Sequence, residues 1–151
     1  MTARQAALAR TFAQPVSGPT YRPLTRAVAA ALVVALFAWG ARTLMLEPDT
    51  DPARLGAAAV VALALLWPMP MILFGRTVVD ATGVRQEGWM GRGVEWAQVV
   101  KVRFIAMPMS PRLMVSTGFG RARVFYSGSR ELDAALQEAA RLLVAPEEHL
   151  R

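Results

Sequence analysis

The chain has no cysteine, a single histidine and a single lysine among its 151 residues. Without cysteine there are no disulfides, no thiol nucleophile and no thiolate metal ligand. One imidazole, His149, cannot build a histidine-based metal site or a His-centred triad. Charge is also scarce: Asp, Glu, Lys and Arg make up 19% of the residues, against 54% hydrophobic. The net charge of +6 is unevenly spread, with four Arg and no acid in residues 1–41, a sum of minus one over 42–54, and eleven basic against eight acidic residues in 76–151. A surplus of three on the polar half is too small to mark a nucleic-acid-binding surface.

What the sequence does have is two long apolar runs. Between Arg54 and Arg76 twenty-one residues pass without a charge, LGAAAVVALALLWPMPMILFG. At about 1.5 Å per residue, a helix of that length crosses the ~30 Å hydrocarbon core of a bilayer. The second run, Ala27 to Ala41, is shorter but extends from Pro23, which suits a first helical position, to Leu46. Arg26 and Arg42 then lie near its ends, where their long side chains can reach headgroups. Asp51 followed by Pro52 reads as an N-cap and first helical residue. The expectation is a two-helix transmembrane hairpin over 23–75, with helices at about 23–46 and 52–75. A basic start, a short apolar stretch and small residues at Ala38 and Gly40 also describe a cleavable signal peptide. The long basic region and the second span that follows at once favour an uncleaved anchor.

Pro68 and Pro70 each remove a helix donor and crowd the preceding turn, so a kink is expected in the second span. It reads either as a hinge or ligand niche, or as a simple bend near the cytoplasmic end with Trp67 at the interface. Basic flanks are retained on the cytoplasmic side of a membrane. Arg4, Arg10, Arg22 and Arg26 precede the first span, and Arg76, Arg85 and Arg92 follow the second. Both termini are therefore expected in the cytoplasm, in a multi-pass protein of the inner (cytoplasmic) membrane, with residues 1–22 as a cytoplasmic tail.

Residues 76–146 have a strand-rich beginning and a helical end. Thr77–Val79 leads into the turn Asp80-Ala81-Thr82-Gly83, and Val84–Met90 is a second extended run ended by Gly91-Arg92-Gly93. A further run includes Val94 and Glu95, then Trp96–Val99. Over Val100–Met107, Val100, Val102, Phe104 and Ala106 alternate with Lys101, Arg103 and Ile105. Leu113–Thr117 and Ala122–Tyr126 form a hairpin around Gly118–Arg121. From Ser129 to Val144, Leu132, Ala135, Leu136, Ala139, Leu142 and Leu143 recur at helical spacing, with Ser129 as N-cap. Pro146 stops the helix, leaving 147–151 as a tail.

The pieces Val79-Asp80-Ala81-Thr82-Gly83-Val84 and Val94-Glu95-Trp96-Ala97-Gln98-Val99, the late hairpin and the helix from Ser129 resemble, in that order, bacterial pleckstrin-homology-like (PH-like) domains, which often follow a pair of transmembrane helices. The resemblance implies a strongly bent antiparallel sheet capped by the C-terminal helix, an α+β fold, and carries over no catalytic residue. An OB-like barrel is a third reading, against which the terminal helix argues.

No catalytic constellation emerges. Gly88–Gly93 lacks the Lys-Ser/Thr ending of a phosphate-binding loop and reads as a hairpin turn. Glu87 and Glu95 have no partner His, metal cluster or nucleophile, and are expected to be solvated. The candidate lipid- or partner-binding residues are Arg92, Lys101, Arg103, Arg112, Arg121 and Arg123, with Trp89 and Phe119 in or beside turns. On a domain held against an anionic leaflet each cation adds about 1 kcal/mol to lipid attraction. The competing account is that Arg is this chain's ordinary surface cation, interleaved with acids. The expected function is a noncatalytic module that binds lipid headgroups or another membrane protein, without cofactor or metal. The alternative is a small accessory subunit of a membrane enzyme or transporter.

Overall fold

The first 22 residues are not a tail. In a computed structural model of the chain, which describes residues 2–46, 51–88, 91–108, 110–118 and 122–144, they form helix α1 (Ala3–Thr11) and strand β1 (Val16–Pro19). A capping box starts α1: the Thr2 hydroxyl accepts from the Gln5 amide at 3.3 Å, and the Gln5 side chain accepts from the Thr2 amide at 2.9 Å. Leu8 of α1 and Phe12, the residue that caps its C-terminus, are buried in the core. β1 runs antiparallel to β2 (Arg76–Val79), pairing Val16 with Val79 and Pro19 with Arg76.

Between these two paired strands the chain inserts its apolar hairpin. Helix α2 (Pro23–Leu46) is followed by α3 (Pro52–Leu66) and α4 (Met69–Phe74). Asp51 caps α3, its carboxylate accepting from the Ala53 amide at 3.0 Å. Trp67 and Pro68 separate α3 from α4, because neither Pro68 nor Pro70 has an N–H to continue the ladder to Ala64 and Leu66. Pro23–Leu46 and Pro52–Phe74 are long and apolar enough to cross a membrane, and their apolar windows are not buried by the rest of the protein. α2 packs against α3 and α4.

The remaining elements make two antiparallel sheets. The first has the order β1-β2-β3-β4, with β3 at Gly83–Glu87 and β4 at Arg92–Glu95. After a single 3₁₀ turn at Trp96–Gln98, the second sheet runs β5 (Val99–Ile105), β6 (Arg112–Thr117), β7 (Ala122–Tyr126). Helix α5 (Arg130–Val144) packs against β5, β1, β6 and β2, and against α1. Ser129 caps it, the hydroxyl accepting from the Leu132 amide at 3.3 Å. The architecture is α+β. Among the described residues no ladder closes the two sheets into a barrel.

The core lies between the sheets and α5. Phe125, Leu113, Val115, Leu132 and Leu136 are fully buried there with Val79 and Val84. Each such large side chain contributes about 1.5–3 kcal/mol by leaving water. Trp96 fills the core with 4% of its surface exposed, and its indole N–H donates to the Asp80 carbonyl at 2.9 Å. The alternation read along β5 fails at its start, where Val100 is 74% exposed. A bulge between Val99 and Lys101 inserts Val100 as an extra residue, so Val99 packs on the core instead and the inward set resumes at Val102.

Candidate functional site

Of the eight candidate binding residues, Trp89, Phe119 and Arg121 lie outside the described residues. The other five cations do not form one patch. Strand pairing places three of them together: Lys101 opposite Ser116, Arg103 opposite Met114, and Ile105 opposite Arg112 across β5 and β6. The rows continue onto β7 through Ala122, Val124 and Tyr126. Val102, Leu113, Val115 and Phe125 point from the same strands into the core. Lys101, Arg103 and Arg112 therefore occupy the opposite, outer face, beside partly exposed Ile105, Met114 and Val124 and, among the described residues, with no acidic residue on these strand rows. Arg112 donates to the Met107 sulfur at 3.1 Å, a weak acceptor, and makes no ion pair among the described residues.

Arg92 is half-buried and Arg123 is exposed, and each is held by a partner on another strand. The Arg92 guanidinium lies 6.0 Å from the Phe125 ring centroid, and its Nε donates to Gln86 Oε1 at 2.9 Å. Gln86 in turn donates to the Thr77 hydroxyl at 3.3 Å, and that hydroxyl donates to the Tyr126 carbonyl at 2.8 Å. With its one proton spent on Tyr126, Thr77 accepts from Thr20, whose hydroxyl is 3.3 Å away. Thr20, Thr77 and Gln86 are all buried. This chain of satisfied polar groups joins β1, β2, β3 and β7 at the root of the apolar hairpin. Arg123 donates to the Gly93 carbonyl at 2.6 Å and so links β7 to β4 across the open seam between sheets.

Arg22, one residue before α2, is a second link at the root. It donates to the Pro108 carbonyl at 2.6 Å and pairs with Asp133 of α5 at 3.1 Å. Next to it Tyr21 stacks on Tyr126, ring centroids 5.4 Å apart. Burial, and then the neighbouring Tyr126, raises the Tyr21 phenol above its ordinary pKa, with Arg92 pulling the other way. These root contacts went unread in the sequence because they join residues a hundred positions apart. The strand and helix that make them possible had a local signature in Thr2-x-x-Gln5 and the Leu8/Phe12 pair.

The Asp80 turn is structural. Its Oδ1 accepts from the Thr82 hydroxyl, the Thr82 amide and the Gly83 amide at 2.6, 2.8 and 3.0 Å, and Arg85 pairs with Oδ2 at 3.1 Å. Burial alone pushes this carboxyl up. The Thr82 hydroxyl, the two amides and Arg85 outweigh it and hold the pKa below the ordinary value. Glu87 and Glu95 are exposed, and Glu87 pairs with Arg85 at 3.2 Å. Of the Gly88–Gly93 segment, Trp89 and Met90 lie outside the described residues, and Arg92 and Gly93 belong to β4, not to a helix whose N-terminus could hold a phosphate.

A groove of about 560 Å³ lies between α1, the start of β5 and the end of α5, lined by Arg4, Leu8, Trp96, Val100, Lys101 and Leu143 among others. Among the described residues no three His, Cys, Asp or Glu side chains gather as a metal site would require. No protein-family model, curated protein or solved structure matches this chain.

Proposed function

We propose that this chain is a membrane-anchored, noncatalytic interaction module, a PH-like domain carried on a two-helix hairpin at the inner face of a bacterial membrane. The observation that carries the reading is the outer face of β5–β7: three cations, Lys101, Arg103 and Arg112, interleaved with apolar Ile105, Met114 and Val124 and, among the described residues, no acid. Such a face attracts an acidic partner and offers it apolar area, the combination that gives both steering and residence. Tethering concentrates the face at the membrane surface, so individually weak contacts suffice. The PH-like assignment draws on the order of the elements, two antiparallel sheets followed by one helix packed across both, which is what the resemblance of the Asp80–Gly83 and Glu95-Trp96 motifs implies.

Support for a common side for both flanks comes from β1 and β2. Residues before and after the hairpin are hydrogen-bonded neighbours, which is possible only if both stay on one side of the bilayer. The basic flanks favour the cytoplasmic side. A reporter fused after Arg151 is then active in the cytoplasm alone, and periplasmic activity would reverse the orientation. The binding role is tested in native membranes with a photocrosslinker at Met114 of the full chain. Discrete adducts that disappear in the K101Q/R103Q/R112Q variant support it, and an unchanged crosslinking pattern sinks it.

The second reading, an accessory subunit of a membrane enzyme or transporter, draws on the α3–α4 break. The Ala64 and Leu66 carbonyls lose the amide donors that Pro68 and Pro70 lack, and such groups in a span are acceptors for a neighbouring helix or a ligand. Obligatory co-purification with a larger complex, lost in a P68A/P70A variant, would favour it.

A further inference from the structure

We infer that the end of the domain next to the hairpin is a seat for anionic lipid headgroups, built on Arg76, Met107 and Arg112, the last being the end of the outer strand face nearest the hairpin. The inference rests on the reading that α2 and α3–α4 cross a bilayer. There is almost no linker between helices and sheet. α4 ends at Phe74 and β2 begins at Arg76, while β1 ends at Pro19 and α2 begins at Pro23. The Thr20 amide donates to the Gly75 carbonyl at 2.9 Å, which clamps the two ends one strand spacing apart. Whatever shares this end of the sheets lies within a few residues' reach of the headgroups.

Strand register says which residues those are. In the first sheet Arg76 pairs with Glu87, and Gly88 follows close enough to Gly75 that a Cβ on it would be 3.7 Å from the Gly75 Cα. In the second sheet Ile105, Arg112 and Tyr126 form the row nearest the hairpin, since Tyr126 stacks on Tyr21 and Arg22 holds the Pro108 carbonyl. The connection from β5 to β6 is thereby brought beside the first turn of α2, where Arg22, Pro23, Leu24, Thr25 and Pro108 surround a hollow of about 220 Å³. Met107, 42% exposed, belongs to this connection, and Phe74, 76% exposed, ends α4 at the same level.

Among the described residues the cations at this end outnumber the acids, Arg22, Arg76 and Arg112 against Glu87 and Asp133. The acids here are already engaged, Glu87 with Arg85 and Asp133 with Arg22. Arg76 makes no ion pair among the described residues, and Arg112 meets only a sulfur. Two guanidiniums beside exposed apolar side chains, at the depth where helices enter lipid, match phosphate oxygens above an acyl boundary. The opposite end of the sheets carries the Asp80 turn and Glu95. Lys101 is four residues along β5 from Ile105, roughly 13 Å at strand rise, which exceeds the screening length of about 8 Å at physiological salt. Arg103, two residues from Ile105 and roughly 7 Å away, stays within the screening length, so Arg112 and Arg103 join the hairpin end to the outer strand face and only Lys101 lies beyond it.

The absence of cysteine makes single-site labelling clean. The full chain is placed in nanodiscs of phosphatidylcholine with or without phosphatidylglycerol, with a bimane label at M107C, at Q98C on the far end, or at V60C inside α3. In discs with phosphatidylglycerol, M107C should be quenched by a headgroup-level lipid quencher and shielded from aqueous iodide relative to Q98C. The shielding should fall roughly fivefold for each arginine removed in R76Q and R112Q, and likewise at about 1 M salt, where the screening length is about 3 Å. Iodide access at M107C equal to that at Q98C, with V60C quenched from the lipid, would overturn the seat and leave the spanning hairpin standing. Shielding at M107C that ignores phosphatidylglycerol and both arginines would mean protein contact, and equally refutes it. Failure of lipid quenching at V60C would remove the membrane reading itself.

Discussion

Helices α2 and α5 are both regular, and they stand in opposite relation to their surroundings. α2 runs 24 residues without one buried side chain, although Val34, Phe37 and Trp39 are among those it exposes. α5 is 15 residues long and buries Leu132, Ala135, Leu136, Ala139 and Ala140 on a single face, with Glu131, Glu138 and Arg141 elsewhere on its surface. The same apolar residue types are distributed all round one helix and along a stripe on the other. A stripe is satisfied by a protein core, whereas an apolar cylinder is satisfied only by lipid or by a much larger protein. The domain is held together by burial, whereas the hairpin helices, long and apolar enough to cross a membrane, bury nothing in the rest of the protein.

The sharpest way to break that contrast is to remove the same methyl groups from each helix. Leu136→Ala should cost about 2–5 kcal/mol of domain stability through the cavity it leaves. Leu63→Ala in α3, where the side chain is 67% exposed, should cost less than about 0.5 kcal/mol in the same assay. Pulse proteolysis of the full chain in detergent micelles reads both, and equal losses would erase the distinction. Reversing the roles, Leu63→Arg should lower membrane insertion by about 3 kcal/mol without touching the packing of α5, as an insertion assay beside proteolysis would show.

A third prediction tests how tightly the two regions are joined. The Gly128 amide donates to the Pro19 carbonyl at 2.8 Å. A Cβ at Gly128 would collide with the Pro19 and Tyr21 carbonyls just before α2. Gly128→Ala should therefore cost about 1–3 kcal/mol, with hydrogen exchange rising first in β1 and at the end of β7. An effect confined to α5 would contradict this joint. The smallest expected effect is at the far turn. Asp80 has a depressed folded pKa, so its contribution is complete above the ordinary carboxylate value and is lost as pH falls through the lower folded value. Asp80→Asn should cost about 1–2 kcal/mol at neutral pH and flatten the acid limb of the stability profile; an unchanged limb would assign acid sensitivity to other carboxylates.

The helical spans, the late hairpin, the Asp80 turn and the amphipathic α5 were legible because each is written in neighbouring residues, as periodicity, caps or turn chemistry. The site was less legible. Lys101 and Arg103 could be placed on one face from alternation, but Arg112 joins them only through the β5–β6 register. Arg92 and Arg123 look like free surface cations in sequence; Arg92 is half-buried against Gln86 and Phe125, and Arg123, though exposed, is held by the Gly93 carbonyl. Whether an arginine is solvated or spent depends on acceptors from distant strands, which composition does not record. Val100 shows the same limit at one residue, since a bulge shifts the alternation that otherwise holds along β5.

By itself the sequence determined that two segments of this chain are apolar enough to span a bilayer and that a small α+β unit follows them. Uncharged length and local periodicity are sufficient for both. Tertiary structure alone decided that residues 2–19 belong to that unit and that the hairpin is an insertion between two adjacent strands. Pairing Val16 with Val79 spans more than sixty residues of chain. Its partners are chosen by the shared core under α5 and the hydrogen bonds at the hairpin root, and no local pattern specifies that choice.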